Sequence, residues 1–180
     1  MSANHLGSLE RALDIVDASA DAGADLLKVQ TWTPGTMCVS RDYTLSDGPW
    51  AGRKLFDLYE EAFTPWEWHA PIFERARALG MEPFGAAFDH GAVDFLCSLG
   101  VKRLKVASFE LTDLNPIRYM ATKGKPIILS TGMASLMEVV EAEIAAGNGP
   151  VPDQDVLVLR CVSSYPADPA GMLTGIHHKR

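Results

Sequence analysis

The sequence predicts an α/β fold: a partial TIM (β/α) barrel of about five to six parallel strands joined by crossover helices. Three observations predict it. Five short apolar runs, at 26–31, 83–87, 104–108, 126–131 and 156–161, have the length of strands. A stretch with helix-like spacing lies between successive runs, and parallel neighbours need such a crossover. Each run also stops at polar or basic residues, and the rim made by the carboxyl ends of the strands is where a β/α barrel builds its site.

The elements follow in order. Ser8 stands as a helix cap, and Leu9, Leu13, Ile15, Val16 and Ala20 form an apolar stripe that Gly23 stops. The first strand is expected at 26–31. Pro34 to Gly52 is rich in Gly, Ser, Thr and Asp and reads as a long rim loop, the kind that serves as a lid or binding segment. A short helix over 53–61 follows. Thr64-Pro65-Trp66-Glu67 has capping-box spacing with proline at the first helical position, and predicts a helix to Leu79. After the strand at 82–87, Asp89 caps a helix from His90 to Leu99. Asn115-Pro116 opens the next helix beyond the strand at 103–108, with Asp113 as another candidate cap. The strand at 126–131 leads to a second capping box, Ser135-Leu136-Met137-Glu138, and turn residues at 149–153 precede the last strand at 156–161. The expected organisation is a partial barrel over 1–170 and an irregular basic tail over 171–180.

A chain of 180 residues can bury one real core, whereas a complete barrel of this class takes about 250. Shortening is therefore expected. The formal net charge of −7, with no run of Lys and Arg, argues against a nucleic-acid partner. No apolar stretch reaches the roughly 18–20 residues of a membrane helix. The segment Met1 to His5 lacks the basic and apolar regions of a secretion signal. Cys38, Cys97 and Cys161 are widely spaced and read as reduced structural thiols, so the expected location is the cytoplasm.

The strand ends carry the chemistry. Lys28 in Leu-Leu-Lys-Val-Gln, taken alone, is a lysine snorkelling to water. Lys105 has the equivalent place in Leu-Lys-Val-Ala-Ser, and two such lysines among Ser108, Ser130, Thr131, Ser163, Ser164 and Tyr165 make a site for a phosphate or carboxylate. The same lysines could be Schiff-base nucleophiles. Ser130-Thr131-Gly132-Met133 before a helix presents hydroxyls and backbone N–H groups to an anion. Glu110 and Asp113 could bind sugar hydroxyls, or be a solvated loop and a cap. His69, His90, His177 and His178 have no metal-site spacing, and His5 alone belongs to a rim loop.

Several segments stand in a recognisable order. They are Ser2-Ala3-Asn4-His5-Leu6-Gly7-Ser8, Gly23-Ala24-Asp25, Lys28-Val29-Gln30-Thr31, Lys105-Val106-Ala107-Ser108, the run Gly124 to Ala134, and Cys161-Val162-Ser163-Ser164-Tyr165-Pro166. Together they resemble the sialic acid (N-acetylneuraminate) synthase family, whose members condense phosphoenolpyruvate with an amino-sugar to make nine-carbon acids. Thr33-Pro34, Trp50, Gly52 to Leu55, Thr64 to His69 and Ala107-Ser108-Phe109-Glu110 resemble its pseudaminic acid synthase branch, which uses a 2,4-diacetamido-trideoxyhexose. Synthases for N-acetylneuraminate have Ala-Ser-Gly where this chain has Ala107-Ser108-Phe109; they and the legionaminate synthases are the alternatives.

The resemblance implies that Lys28, Lys105, Ser108 and Ser130 hold phosphoenolpyruvate, with Ser163 and Tyr165 lining the same pocket. Asn4, His5, Phe109 and Glu110 are the implied sugar-loop candidates. It further implies a divalent metal, manganese or magnesium, that polarises the sugar aldehyde, and a homodimer.

The departures shape what is expected. The family's catalytic glutamate lies just before the Ser-Ala-Asn-His segment, so no catalytic residue is assigned. Its two metal-binding histidines come from later strands, so no metal ligand is expected within this chain. Gly85-Ala86-Ala87 replaces a hydroxyl-rich segment that would bind phosphate. No counterpart of the family's C-terminal antifreeze-like domain is expected within these 180 residues. These gaps favour a non-catalytic, anion-binding remnant that self-associates through exposed sheet edges over an active synthase, and both over a Schiff-base aldolase acting through Lys105.

Overall fold

The computed structural model of the chain describes residues 1–150 and 155–162. A 3-10 turn at Ala3–His5 leads to Ser8, whose hydroxyl accepts from Arg11 N–H at 3.2 Å and starts helix α1 (Leu9–Asp21). Strand β1 (Leu26–Thr31) follows. The long loop after it is more structured than its composition suggests. Pro34–Met37 makes one helical turn (α2), and an antiparallel bridge between Thr44 and Lys54 folds the remainder back on itself.

Helix α3 spans Leu55–Ala62 and α4 spans Trp66–Ala78. The capping box expected at Thr64 does not form. Pro65 occupies the cap position, and the Thr64 hydroxyl is bonded to His5 Nε2 at 3.1 Å. Strand β2 (Glu82–Ala87) precedes α5 (His90–Ser98), which Asp89 caps by accepting from Ala92 N–H at 2.7 Å. Strand β3 is short, Leu104–Val106, because Ser108–Glu110 turns into a 3-10 helix. Asp113, not Asn115, caps α6 (Leu114–Ala121). Strand β4 (Ile127–Ser130) leads to α7 (Leu136–Gly147), where the Ser135–Glu138 capping box is complete. Strand β5 (Val156–Leu159) ends the described sheet; the expected tail at 171–180 lies outside the described residues.

All five strands are parallel and lie in chain order, β1-β2-β3-β4-β5, which is the arrangement of successive barrel units. One face of the sheet packs on the helices. Leu27, Val29, Leu104, Val106, Ile127 and Leu129 point that way and are essentially buried. Each fully buried aliphatic side chain of this kind contributes about 1.5–3 kcal/mol. Gly85 belongs to the same face: a Cβ there would sit 2.5 Å from Leu96 of α5, so only glycine lets that helix approach.

Strand alternation turns the intervening residues to the opposite, concave face. Gln30, Ala86, Lys105, Ile128 and Leu157 stand side by side across it. That face is open beside β5, where Leu157 is 53% exposed, and Leu136, Met137 and Ile144 of α7 are exposed as well.

Candidate anion-binding active site

The carboxyl ends of β3 and β4 bring the strongest contact. Lys105 lies on the concave face, and its Nζ donates to Ser130 Oγ at 2.6 Å and to the Val106 carbonyl at 3.3 Å. Ser130 is buried at the end of β4. Ser108, in the turn after β3, accepts from Gly132 N–H at 3.2 Å and ties the β3 and β4 rim loops together. Lys28 projects from β1 opposite Phe84, one pleat closer to the amino end than the Gln30–Ala86–Lys105 row.

Burial holds the Lys28 ammonium below the usual lysine pKa. Lys105 is lowered first by burial and then by the positive charge of Lys28. Among the described residues neither ammonium has a carboxylate at ion-pair distance. Two partly desolvated cations repelling each other are a poor arrangement for an empty protein and a good one for a small anion. Glu110 stands nearby: burial raises its carboxyl pKa, its own backbone and then Lys105 pull it back, and its Oε2 is buried without a partner.

Other candidates are placed differently. His5 is fully buried; its Nδ1 accepts from Gly7 N–H at 3.1 Å and its Nε2 meets Thr64, which leaves no nitrogen for a sugar. Asn4 is exposed, and its Oδ1 accepts from Ser2 N–H at 3.0 Å. Phe109 is 73% exposed on the rim. The Thr131 hydroxyl and N–H both donate to the Leu159 carbonyl, at 3.0 and 3.1 Å, so Thr131 fastens β5 and offers its hydroxyl to no anion. Ser163, Ser164 and Tyr165 lie outside the described residues. The two non-glycine residues at positive φ among the described ones, Leu6 at 48° and Met133 at 66°, are both on rim loops, where strained backbone commonly marks a site.

Two residues join the site without having been singled out for it. Gln30 takes its place through strand register, with its Oε1 accepting from Ser2 Oγ at 2.5 Å. Cys161, read as an inert thiol, touches the anion cluster. Burial pushes its pKa up, but hydrogen bonds with Ser130, Thr131 and Ser108 and the charge of Lys105 bring it below the usual thiol range. Its position just beyond the last strand was the available signal. A concavity of about 280 Å³ lined by Arg77, Met81, Glu82 and Lys102 lies at the opposite, amino end of the strands and shares none of these residues.

Among the described residues no three His, Cys, Asp or Glu side chains come together as a metal site. The described residues therefore offer no ligand set for a resident metal, and no step derived below is routed through one.

Comparison with known proteins adds an independent line. The NeuB family model matches residues 15–176. The chain is 41% identical over 170 residues to a pseudaminic acid synthase of Campylobacter jejuni, covering 92% of this chain and 49% of that protein. An N,N'-diacetyllegionaminic acid synthase of Legionella pneumophila is 34% identical over 170 residues, covering 91% and 48%. Among solved structures, the N-acetylneuraminic acid synthetase of Leptospira borgpetersenii, crystallised with citrate, superposes with a TM-score of 0.80 at 26% identity, over 93% of this chain and 54% of that one. The chain spans about half the length of the curated relatives it matches.

Proposed function

The chain belongs to the NeuB family, and from that premise we propose that it carries the phosphoenolpyruvate-binding part of a pseudaminic acid synthase. The observation that carries this reading is the pair of half-buried lysines on the concave face of a parallel sheet, without ion-pair partners among the described residues, one of them held to Ser130 at 2.6 Å. In the reaction the enol carbon of phosphoenolpyruvate attacks the open-chain aldehyde of a diacetamido sugar. Water adds to the resulting cation, and phosphate leaves with C–O cleavage.

The residues of this chain act on the anionic partner. Lys28 and Lys105 neutralise the phosphate and carboxylate. Ser130 and Ser108 orient those groups by hydrogen bonds, and the family resemblance adds Ser163 and Tyr165 as further candidates for binding the same anion. Burial of the lysines strengthens each contact because little water competes for it. Asn4, Phe109 and Glu110 face the sugar, and the bulk of Phe109 where N-acetylneuraminate synthases have glycine favours the diacetamido-trideoxyhexose. For the whole protein the reading extends to a manganese or magnesium requirement, a homodimer and a cytoplasmic setting.

Titration calorimetry tests the reading. Phosphoenolpyruvate alone should bind, and in its presence the diacetamido sugar should bind more tightly than N-acetylmannosamine. A folded protein that shows no phosphoenolpyruvate binding at millimolar ligand overturns the anion site. Phosphoenolpyruvate binding without preference between the sugars overturns the pseudaminate assignment alone.

A further inference from the structure

The buried polar side chains among the described residues are His5, Thr31, Thr64, His69 and Ser130. Ser130 belongs to the anion site. The other four share one chain of contacts that the proposed chemistry leaves unused. Gly7 N–H donates to His5 Nδ1 at 3.1 Å, so the proton sits on Nε2, which donates to Thr64 Oγ1 at 3.1 Å. The next residue, Pro65, accepts through its carbonyl from His69 Nδ1 at 3.3 Å, which leaves His69 Nε2 to accept from the Thr31 hydroxyl at 2.9 Å. Burial favours the neutral form of both rings.

Apolar side chains of the same shape would fill this space at little loss of stability, whereas a fully satisfied polar chain fixes geometry. What it fixes is the β1 side of the rim. One end is the loop of residues 3–7, and the other is the last residue of β1. Thr31 points to the helices because Lys28 and Gln30 point to the concave face, and Ser2 Oγ donates to Gln30 Oε1 across the gap between loop and strand.

We propose that His5 and His69 are positioning residues: with Thr64 and Thr31 they clamp the first rim loop and the end of β1 to the start of α4, and so set where Lys28 and Gln30 stand. The consequence for ligand binding rests on the phosphoenolpyruvate reading above.

Thr31→Val is nearly isosteric and leaves His69 Nε2 buried without a donor. Phosphoenolpyruvate affinity should then fall on the order of tenfold, measured by calorimetry at a temperature where the protein is fully folded. His69→Gln keeps an acceptor within reach of Thr31 and should retain most of the affinity, while His69→Leu should not. Ile117→Ala, on α6, serves as a destabilised control whose affinity should be unchanged. If Thr31→Val and His69→Leu melt earlier yet bind as wild type does, the network is structural only and the proposal is overturned. Hydrogen exchange on the unliganded proteins decides the clamp without any ligand. Faster exchange in Thr31→Val should be confined to residues 3–7 and 28–31, and uniform or absent acceleration overturns the proposal. Failure of the wild type to bind phosphoenolpyruvate would sink the anion site and leave this exchange pattern to judge the clamp.

Discussion

Replacing Lys105 by methionine should weaken phosphoenolpyruvate binding and leave the unliganded protein at least as stable as the wild type. The opposite signs follow from the site. Lys105 is half-buried, the like charge of Lys28 acts on it more strongly than the opposing charges of Cys161 and Glu110, and its one short contact is the 2.6 Å bond to Ser130. For an anion, the ammonium provides a charge-assisted hydrogen bond worth about 1.5–3 kcal/mol, or roughly 10- to 150-fold in affinity. A Coulomb bound agrees: opposite unit charges about 4 Å apart at an effective dielectric near 20 attract by about 4 kcal/mol, less whatever the ligand loses on leaving water. For the empty protein, methionine keeps the stem packed and removes both the desolvated charge and its repulsion with Lys28. The expected melting temperature is unchanged or up by about 2–4 °C, the shift of 1 kcal/mol in a domain of this size. Calorimetric titration and thermal melts of both proteins at low ionic strength, where screening is least, read the two quantities together. Affinity within twofold of wild type would refute the site, and a large drop in melting temperature would refute the account of Lys105 as a strained, ligand-seeking charge.

Neighbouring substitutions on β2 should act in opposite ways. Ala86→Ser adds a hydroxyl on the concave face beside Lys105 and should tighten phosphoenolpyruvate binding several-fold, whereas Gly85→Ser drives a side chain into Leu96 and should destabilise by about 1–3 kcal/mol; equal effects of the two on affinity, read by calorimetry and melts, would refute the assigned strand faces. Both site lysines have pKa values held down by burial, with Lys28 lowering Lys105 further, and a bound anion favours their charged forms. Affinity should therefore fall as pH rises through the depressed lysine range, with proton uptake on binding on the alkaline side. Titrations in buffers of different ionisation enthalpy measure that uptake, and proton release would contradict the reading.

The order of strands and helices was legible because it depends on signals close together in the chain. The Ser135–Glu138 capping box, the Asp89 cap and the glycine stops form from residues within a few positions of one another, so local chemistry settles them. The polar strand ends were legible for a related reason: parallel strands in a β/α array all end on one rim, which places Lys105 against Ser130 once both are strand ends. Tertiary structure decided the rest. Thr64 has the sequence of a helix cap, yet it bonds to His5, 59 positions away, and Thr31 meets His69 across 38 positions. Register decided that Gly85 faces a helix while Ala86 faces Lys105, and it brought Gln30 into the site and turned Thr131 to the task of holding β5. A side chain with two possible hydrogen-bond partners takes the one that packing delivers. The sequence alone determined a rim of cations and hydroxyls, and only the packed sheet determined which of them point into the same space.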